Sequence, residues 1–343
     1  ADTYKQWYPA DYIVEGIDQT RGWFFTLMAE AMLLGKTPPA PFKNVISTGL
    51  ILDEKGQKMS KSKGNVVDPM EMIPVTGADT MRWYMFTGAP AGGNYLFSEE
   101  FLKEKMRKFT LILWNSYKFF LDYATLANWS CELKRGELSV LDGWILARLT
   151  EVVLLVNDKL EKYDAAISSR AIEDFVVNDF STWYIRRSRD RVGPEANEVD
   201  RNTCLSVMYG VLVTLSKLSA PFIPFISEEI FRNLTAEQSV HLQDYPQGDK
   251  ALLNDQLIAD MMVVRKITEA GHAQRKESGI KLRQPLAVLT YQVPVKLDDQ
   301  LEQILAEDVN AKKVEHQKSS DGQLSVTLDT KITHKLQEEG EMR

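Results

Sequence analysis

The chain has 343 residues, room for two or three domains, and its 44% hydrophobic content is enough to bury real cores. Its net charge of −7 argues against a generally basic nucleic-acid coat but leaves room for local cationic patches. No apolar run reaches the roughly 20 residues that span a bilayer, so no membrane partner is expected.

The first region, residues 1–98, reads as α/β. Tyr12-Ile13-Val14 is a short β-prone run. Residues 19–34 follow as a helix, with Trp23, Leu27, Ala31 and Leu34 at helical spacing. Pro38, Pro39 and Pro41 break it, and residues 44–52 predict the next strand. A lysine-rich loop follows. Asp68-Pro69 then opens a helix with proline in its first turn, and Gly77-Ala78-Asp79 starts another over residues 80–86. Strand, helix, strand, loop, helix is half of a doubly wound sheet.

The second region, residues 99–248, reads as helices only. Ser98 with Glu99, Glu100 and Phe101 is a capped start. Amphipathic runs cover about 99–126, 139–162, 165–191 and 197–219, with a shorter helix near 227–233. Long helices with short joins make a bundle. Trp114 and Trp144 fall in its apolar stripes and are expected in the core. The third region, residues 249–343, predicts a helix near 255–276. It adds β-like runs 286–293 and 324–328 around a helix near 297–306, a small α/β appendage.

Two cysteines, Cys131 and Cys204, and four dispersed histidines give neither a disulfide framework nor zinc-ligand spacing. A reducing cytoplasm fits, and no protein-bound zinc is expected. The N-terminus lacks a basic start followed by an apolar stretch, so it does not read as a signal peptide. It also lacks an initiator methionine, and the chain is expected to be part of something longer.

Two motifs carry chemistry. Lys58-Met59-Ser60-Lys61-Ser62-Lys63-Gly64-Asn65 is a cationic loop preceded by the turn Asp53-Glu54-Lys55-Gly56. It suits a triphosphate whose charge shifts during reaction, because lysine acts as a movable point charge. Glu15-Gly16-Ile17-Asp18-Gln19-Thr20-Arg21-Gly22-Trp23-Phe24 lies where a strand ends and a helix begins. Ligands of open α/β sheets bind at such strand ends. Gly16 allows close backbone approach, Glu15 and Asp18 can accept hydrogen bonds, and Trp23 can wall an apolar pocket.

The first string resembles the KMSKS signature of class I aminoacyl-tRNA synthetases. The pair, in this order and about forty residues apart, resembles isoleucyl-tRNA synthetases, whose EGxDQxRGWF pattern is matched from Glu15 to Phe24. Further matches are Gly77-Ala78-Asp79 with Arg82-Trp83, the stretch from Trp183 to Arg189, and the stretch from Arg275 to Pro285. The resemblance spans nearly the whole chain. It implies the second half of a Rossmann-type catalytic domain, then a helical-bundle anticodon-binding domain, then the small appendage. It implies joining isoleucine to ATP, with Mg²⁺ on the phosphates, and transfer to tRNA(Ile). By resemblance Glu15, Gly16, Asp18 and Gln19 surround the adenylate, Trp23 lines the isoleucine pocket, and Met59 and Ser60 belong to the nucleotide site. Lys58 and Lys61 are the catalytic cations that hold the phosphates and stabilise departing pyrophosphate. A monomer is the family expectation.

Trp183, Arg186, Arg187, Arg189 and Arg191 form a basic, aromatic stretch at one helix end, with Arg186, Arg187 and Arg189 as candidate tRNA contacts. Arginine and aromatic rings can meet phosphates and unpaired bases. Cations drawn to a helix C-terminus, with Trp183 in the core, explain the same residues. Arg275, Lys276, Lys281 and Arg283 form a second basic stretch, either on the tRNA backbone or simply solvated. The sequence departs from the family in lacking a His-x-Gly-His loop, an editing insert and a cysteine-rich zinc segment. The chain alone is therefore expected not to form adenylate. A valyl or leucyl enzyme, opposed by Trp23 and Asp18-Gln19, and a non-catalytic tRNA-binding module remain the alternatives. An unrelated nucleotide enzyme would need a Walker-type glycine loop that the sequence lacks.

Overall fold

The computed structural model describes residues 2–90, 92–319 and 322–341. The chain divides into two compact units, residues 1–137 with 149–248, and residues 138–148 with 249–343.

In the first unit, α1 (Asp2–Trp7) leads to β1 (Ala10–Gly16), a 3₁₀ turn (Ile17–Arg21) and α2 (Trp23–Leu33). β2 (Phe42–Thr48) lies parallel to β1, with Glu15 opposite Ser47 and Gly16 opposite Thr48. The expected strand 44–52 is split. A second pair joins β3 (Ile51–Leu52) in parallel to β4 (Tyr95–Leu96). The break falls at Gly49, where a Cβ would lie 2.0 Å from the Gly93 carbonyl oxygen. Only glycine permits that backbone approach. The expected helix 19–34 likewise starts as a 3₁₀ turn. The Gln19 side-chain oxygen takes the Trp23 N–H at 2.8 Å, and Gly22 interrupts the helix with φ −126° and ψ −113°.

Parallel strands are normally covered on both faces. Here Ile13 is the one buried residue of β1, while Val14 and Val45 stay 41% and 43% exposed. On α2, Phe25, Met32 and Leu33 are exposed as well.

α3 (Pro69–Thr76) begins as expected at Asp68, whose carboxylate accepts the Met70 N–H at 2.8 Å. α4 (Ala78–Gly88) follows from Gly77, at φ +82°. The bundle contains α5 (Glu99–Lys105), capped by Ser98, then α6 (Leu111–Leu126) and α7 (Val140–Glu161), whose first turns belong to the second unit. α8 (Ala165–Asp174), α9 (Arg189–Val192), α10 (Glu198–Ser219) and α11 (Pro224–Thr235) complete it. Two long helices carry π-helical stretches, Met106–Thr110 and Phe175–Ile185.

The gluing helix is α4. Trp83 is fully buried and stacks on Phe109 with ring centroids 4.0 Å apart. Burial of each such ring contributes about 1.5–3 kcal/mol. The Trp83 Nε1–H donates to Glu173 of α8 at 2.7 Å, and Lys105 pairs with the same carboxylate at 2.8 Å. Asp79 accepts the Ile226 N–H at 2.7 Å and so caps α11 from another helix. Burial nevertheless pushes the Asp79 carboxyl above its ordinary range. Arg82 donates to the carbonyls of Pro221 and Phe222. The Gly-Ala-Asp and Arg-Trp matches in the sequence are thus packing and capping residues. Trp144 is buried as expected, whereas Trp114 is half-buried.

In the second unit, α12 (Asp255–Glu277) precedes β5 (Leu286–Val293), α13 (Asp299–Val309), β6 (Ala311–Lys318), β7 (Ser325–Leu328) and α14 (His334–Glu341). β5 is central, parallel to β6 and antiparallel to β7. The sequence reading missed β6. Arg275 is 2% exposed and gives its guanidinium hydrogens to the carbonyls of Val309, Lys281, Gln284 and Asn310 at 2.8–3.1 Å. It is a staple inside the fold, not a member of a solvated or nucleic-acid-facing row. Lys276, Lys281 and Arg283 remain exposed.

Candidate active site

The acidic corner forms because β1 ends at Gly16 and the chain turns at once into the 3₁₀ segment. Glu15 and Asp18 are exposed, Gly16 and Gln19 half-buried. A Cβ on Gly16 would meet Asp18 Oδ1 at 2.6 Å, so glycine keeps the Asp18 carboxylate folded back against the strand end. Gln19 donates weakly to Asp18 at 3.4 Å, and its amide oxygen holds the first turn of α2. Trp23 is 48% exposed beside buried Phe24. The corner therefore offers carboxylate acceptors, an open indole face and an approachable backbone at the carboxyl end of a parallel pair.

β2 ends at Thr48, in register with Gly16, and the chain passes through Gly49 and Leu50 to β3 and the lysine loop. Asn94 holds this passage by accepting the Leu50 N–H at 2.9 Å. The loop is an ordered hairpin. Lys58 forms a bridge with Leu52. The Asp53 carboxylate accepts the N–H groups of Lys55 at 3.0 Å and Gln57 at 2.8 Å through one oxygen. Its other oxygen accepts the Asn65 amide at 2.8 Å. Asn65 in turn accepts the Ser60 N–H at 2.9 Å and lies 3.5 Å from the Lys58 carbonyl. Chiefly through the Asn65 contact, the Asp53 carboxyl is held below the usual carboxylate range.

Lys58 is exposed and Ser60 half-buried, with its hydroxyl 3.1 Å from that of Ser62. Lys61 opens a 3₁₀ turn, Lys61–Lys63, and its side chain lies outside the described residues. Met59, assigned to the nucleotide from sequence, packs against Met72, Phe97 and Leu102 and anchors the loop on the α3–α5 core. Among the described residues no hydrogen bond or ion pair joins the corner to the loop. Asp53, Asn65 and Asn94 are the organising residues that the sequence reading did not single out. The turn letters around Asp53 and the Gly64-Asn65 pair were the available signal.

Trp183 is buried, and the guanidiniums of Arg186 and Arg187 lie 5.8 and 5.1 Å from its ring centre. Arg189 is exposed. Arg191 forks onto Asp200 at 2.7–3.2 Å and serves the bundle. Two cavities of about 580 and 590 Å³ share Lys105, Lys108 and Glu173, and neither is lined by a residue of the two motifs.

Residues 1–98 match the family described as tRNA synthetases class I (I, L, M and V), and residues 142–290 match the anticodon-binding domain of tRNA ligase. The solved structures of similar fold include the Mycobacterium tuberculosis methionyl-tRNA synthetase in complex with methionyl-adenylate. It is 19% identical with a TM-score of 0.55, over 67% of this chain and 45% of that one. The LeuRS–tRNA–LeuAMS ternary complex from Agrobacterium radiobacter K84 is 17% identical with a TM-score of 0.52, over 94% of this chain and 39% of that one. The chain belongs to the class I aminoacyl-tRNA synthetases.

Within that class it is similar to isoleucine–tRNA ligases. Identity is 43% to that of Thermus thermophilus, over 91% of this chain and 31% of the relative. It is 46% to that of Dehalococcoides mccartyi, over 82% of this chain and 28% of the relative. The chain thus spans about three tenths of the length of these relatives.

Proposed function

We propose that the chain supplies the strand-end corner and lysine loop of an isoleucine–tRNA ligase. Such an enzyme joins isoleucine to ATP, releases pyrophosphate, and passes the isoleucyl group to a hydroxyl of tRNA(Ile). One observation carries the reading: the Glu15–Phe24 corner closes β1 in register with β2, and from the end of β2 the chain runs through Gly49, Leu50 and β3 into the lysine loop. The chemistry needs positioning and charge stabilisation, not a protein nucleophile. Glu15, Gly16, Asp18 and Gln19 orient the adenylate, and Trp23 walls the isoleucine pocket. Ser60 donates within the nucleotide site, with Met59 anchoring that segment. Lys58 and Lys61 neutralise the triphosphate and the departing pyrophosphate.

Mg²⁺ enters on the ATP phosphates. We assign residues 1–98 to the catalytic half, 99–248 to the anticodon-binding bundle and 249–343 to the appendage. A cytoplasmic monomer is the working assembly. Arg186, Arg187 and Arg189 are its candidate tRNA contacts.

The test is isoleucine-dependent ATP–pyrophosphate exchange by the full-length polypeptide that carries this sequence. Lys58→Ala and Lys61→Ala each should lower exchange by about 10²–10³-fold. Binding of tRNA without exchange would instead identify a non-catalytic module, and exchange driven by valine or leucine would reassign the amino acid.

A further inference from the structure

We infer that Asp53 and Asn65 are positioning residues that clasp the base of the lysine loop and set where its cations stand. The inference rests on the function proposed above. Neither residue is offered as a contact to substrate.

The geometry is that of a two-part clasp. Asp53 stands where β3 ends, and Asn65 stands twelve residues later, past the last lysine of the loop. Their side chains meet at 2.8 Å and close the loop into a ring. Each half also fixes main chain inside the ring. The Asp53 carboxylate takes the N–H groups of Lys55 and Gln57, which shapes the ascending turn. The Asn65 carboxamide takes the Ser60 N–H and approaches the Lys58 carbonyl, so it grips the backbone on both sides of Met59. Met59 itself is pinned in the Met72–Phe97–Leu102 cluster. The backbone of Lys58 is thus held from three directions: the bridge to Leu52, the Asn65 amide and the neighbouring Met59 anchor.

A lysine side chain is long and flexible, with about 2 kcal/mol of rotamer entropy. Its use as a transition-state cation depends on a fixed root. A misplacement of about 1 Å can cost about a hundredfold in rate. The clasp fixes that root through the Asp53 carboxylate, whose oxygens are taken by three donors. The 3₁₀ turn at Lys61 begins one residue after the amide that Asn65 holds.

The test uses the full-length polypeptide with ATP–pyrophosphate exchange. Asn65→Ala and Asn65→Asp, the latter placing two carboxylates face to face, should each lower kcat about tenfold to a hundredfold. The KM for isoleucine should stay within twofold. The exchanged pair Asp53→Asn with Asn65→Asp restores a donor against an acceptor and should recover most of the lost kcat. A purely structural role would move the thermal midpoint in step with kcat, in the single variants and in the exchanged pair alike. Single variants within twofold of the parent, or an exchanged pair no better than Asn65→Asp alone, would overturn the inference. Should the parent polypeptide show no exchange, the activity reading falls and trypsin cleavage after Lys58 and Lys63 judges the clasp. Faster cleavage in Asn65→Ala, reversed in the exchanged pair, supports it, and equal rates overturn it.

Discussion

What distinguishes Lys58 is where its backbone is held. That holding depends on an ionised Asp53. Because hydrogen bonds from Asn65, Gln57 and Lys55 favour the charged carboxylate, its folded pKa lies below the ordinary value. The sign follows from linkage: the contribution of the clasp is present above the ordinary carboxylate pKa of about 4 and is lost as pH falls through the lowered one. The side-chain amide resonance of Asn65 should therefore hold steady from neutral pH down through the ordinary carboxylate range and move only below it. A titration midpoint above the ordinary value would contradict the hydrogen-bond pattern. At this scale the sequence disclosed the lysines, the acidic corner and the tryptophan directly, since their spacing is itself the signal. It did not disclose the clasp, because Asp and Asn flanking a turn are common and their meeting across twelve residues depends on loop closure.

Elements with strong periodicity or explicit caps were readable. Asp68 and Ser98 start helices where their side chains accept first-turn N–H groups, and the long bundle helices follow their apolar stripes. Other features were decided by contacts remote in sequence. Residues 44–52 read as one apolar strand, but Gly93 crowds Gly49 and divides it. β6, with the sequence AKKVEHQK, has no apolar alternation because it is the edge strand beside β5 and its charged residues face solvent. Edge strands carry such lysines as protection against further pairing. The π-helical stretches leave no mark in composition.

Arg275 shows the same limit from the other side: a cation in a basic-looking row is buried and satisfies four carbonyls. Replacing it by methionine leaves those carbonyls unpaired. With about 1–3 kcal/mol for each unsatisfied buried group, the second unit should lose at least about 2 kcal/mol. Chemical denaturation checks this, and a change below about 0.5 kcal/mol would show that water replaces the guanidinium.

For the molecule as a whole, the N-terminal strands with α2 and the packed helices differ in how completely they are covered. Trp83, Phe109, Phe175, Phe180 and Tyr184 are fully buried in the helical part. In contrast, β1, β2 and α2 expose Val14, Val45, Phe25, Met32 and Leu33. A parallel pair in that condition lacks the layers that such sheets need on both faces. The isolated 343-residue polypeptide should accordingly bind a hydrophobic dye such as ANS and catalyse no isoleucine-dependent exchange, although its helical part folds. Exchange at the rate of the full-length polypeptide would show that the chain holds a complete site.

The most direct measurement is a crystal structure of the full-length polypeptide with isoleucinol and ATP. Glu15 is expected at the amino-acid or ribose end of the bound pair, and Lys58 or Lys61 within hydrogen-bond reach of its phosphates, in one cleft. A ligand touching only the corner or only the lysine loop, with the other facing separate solvent, would contradict it.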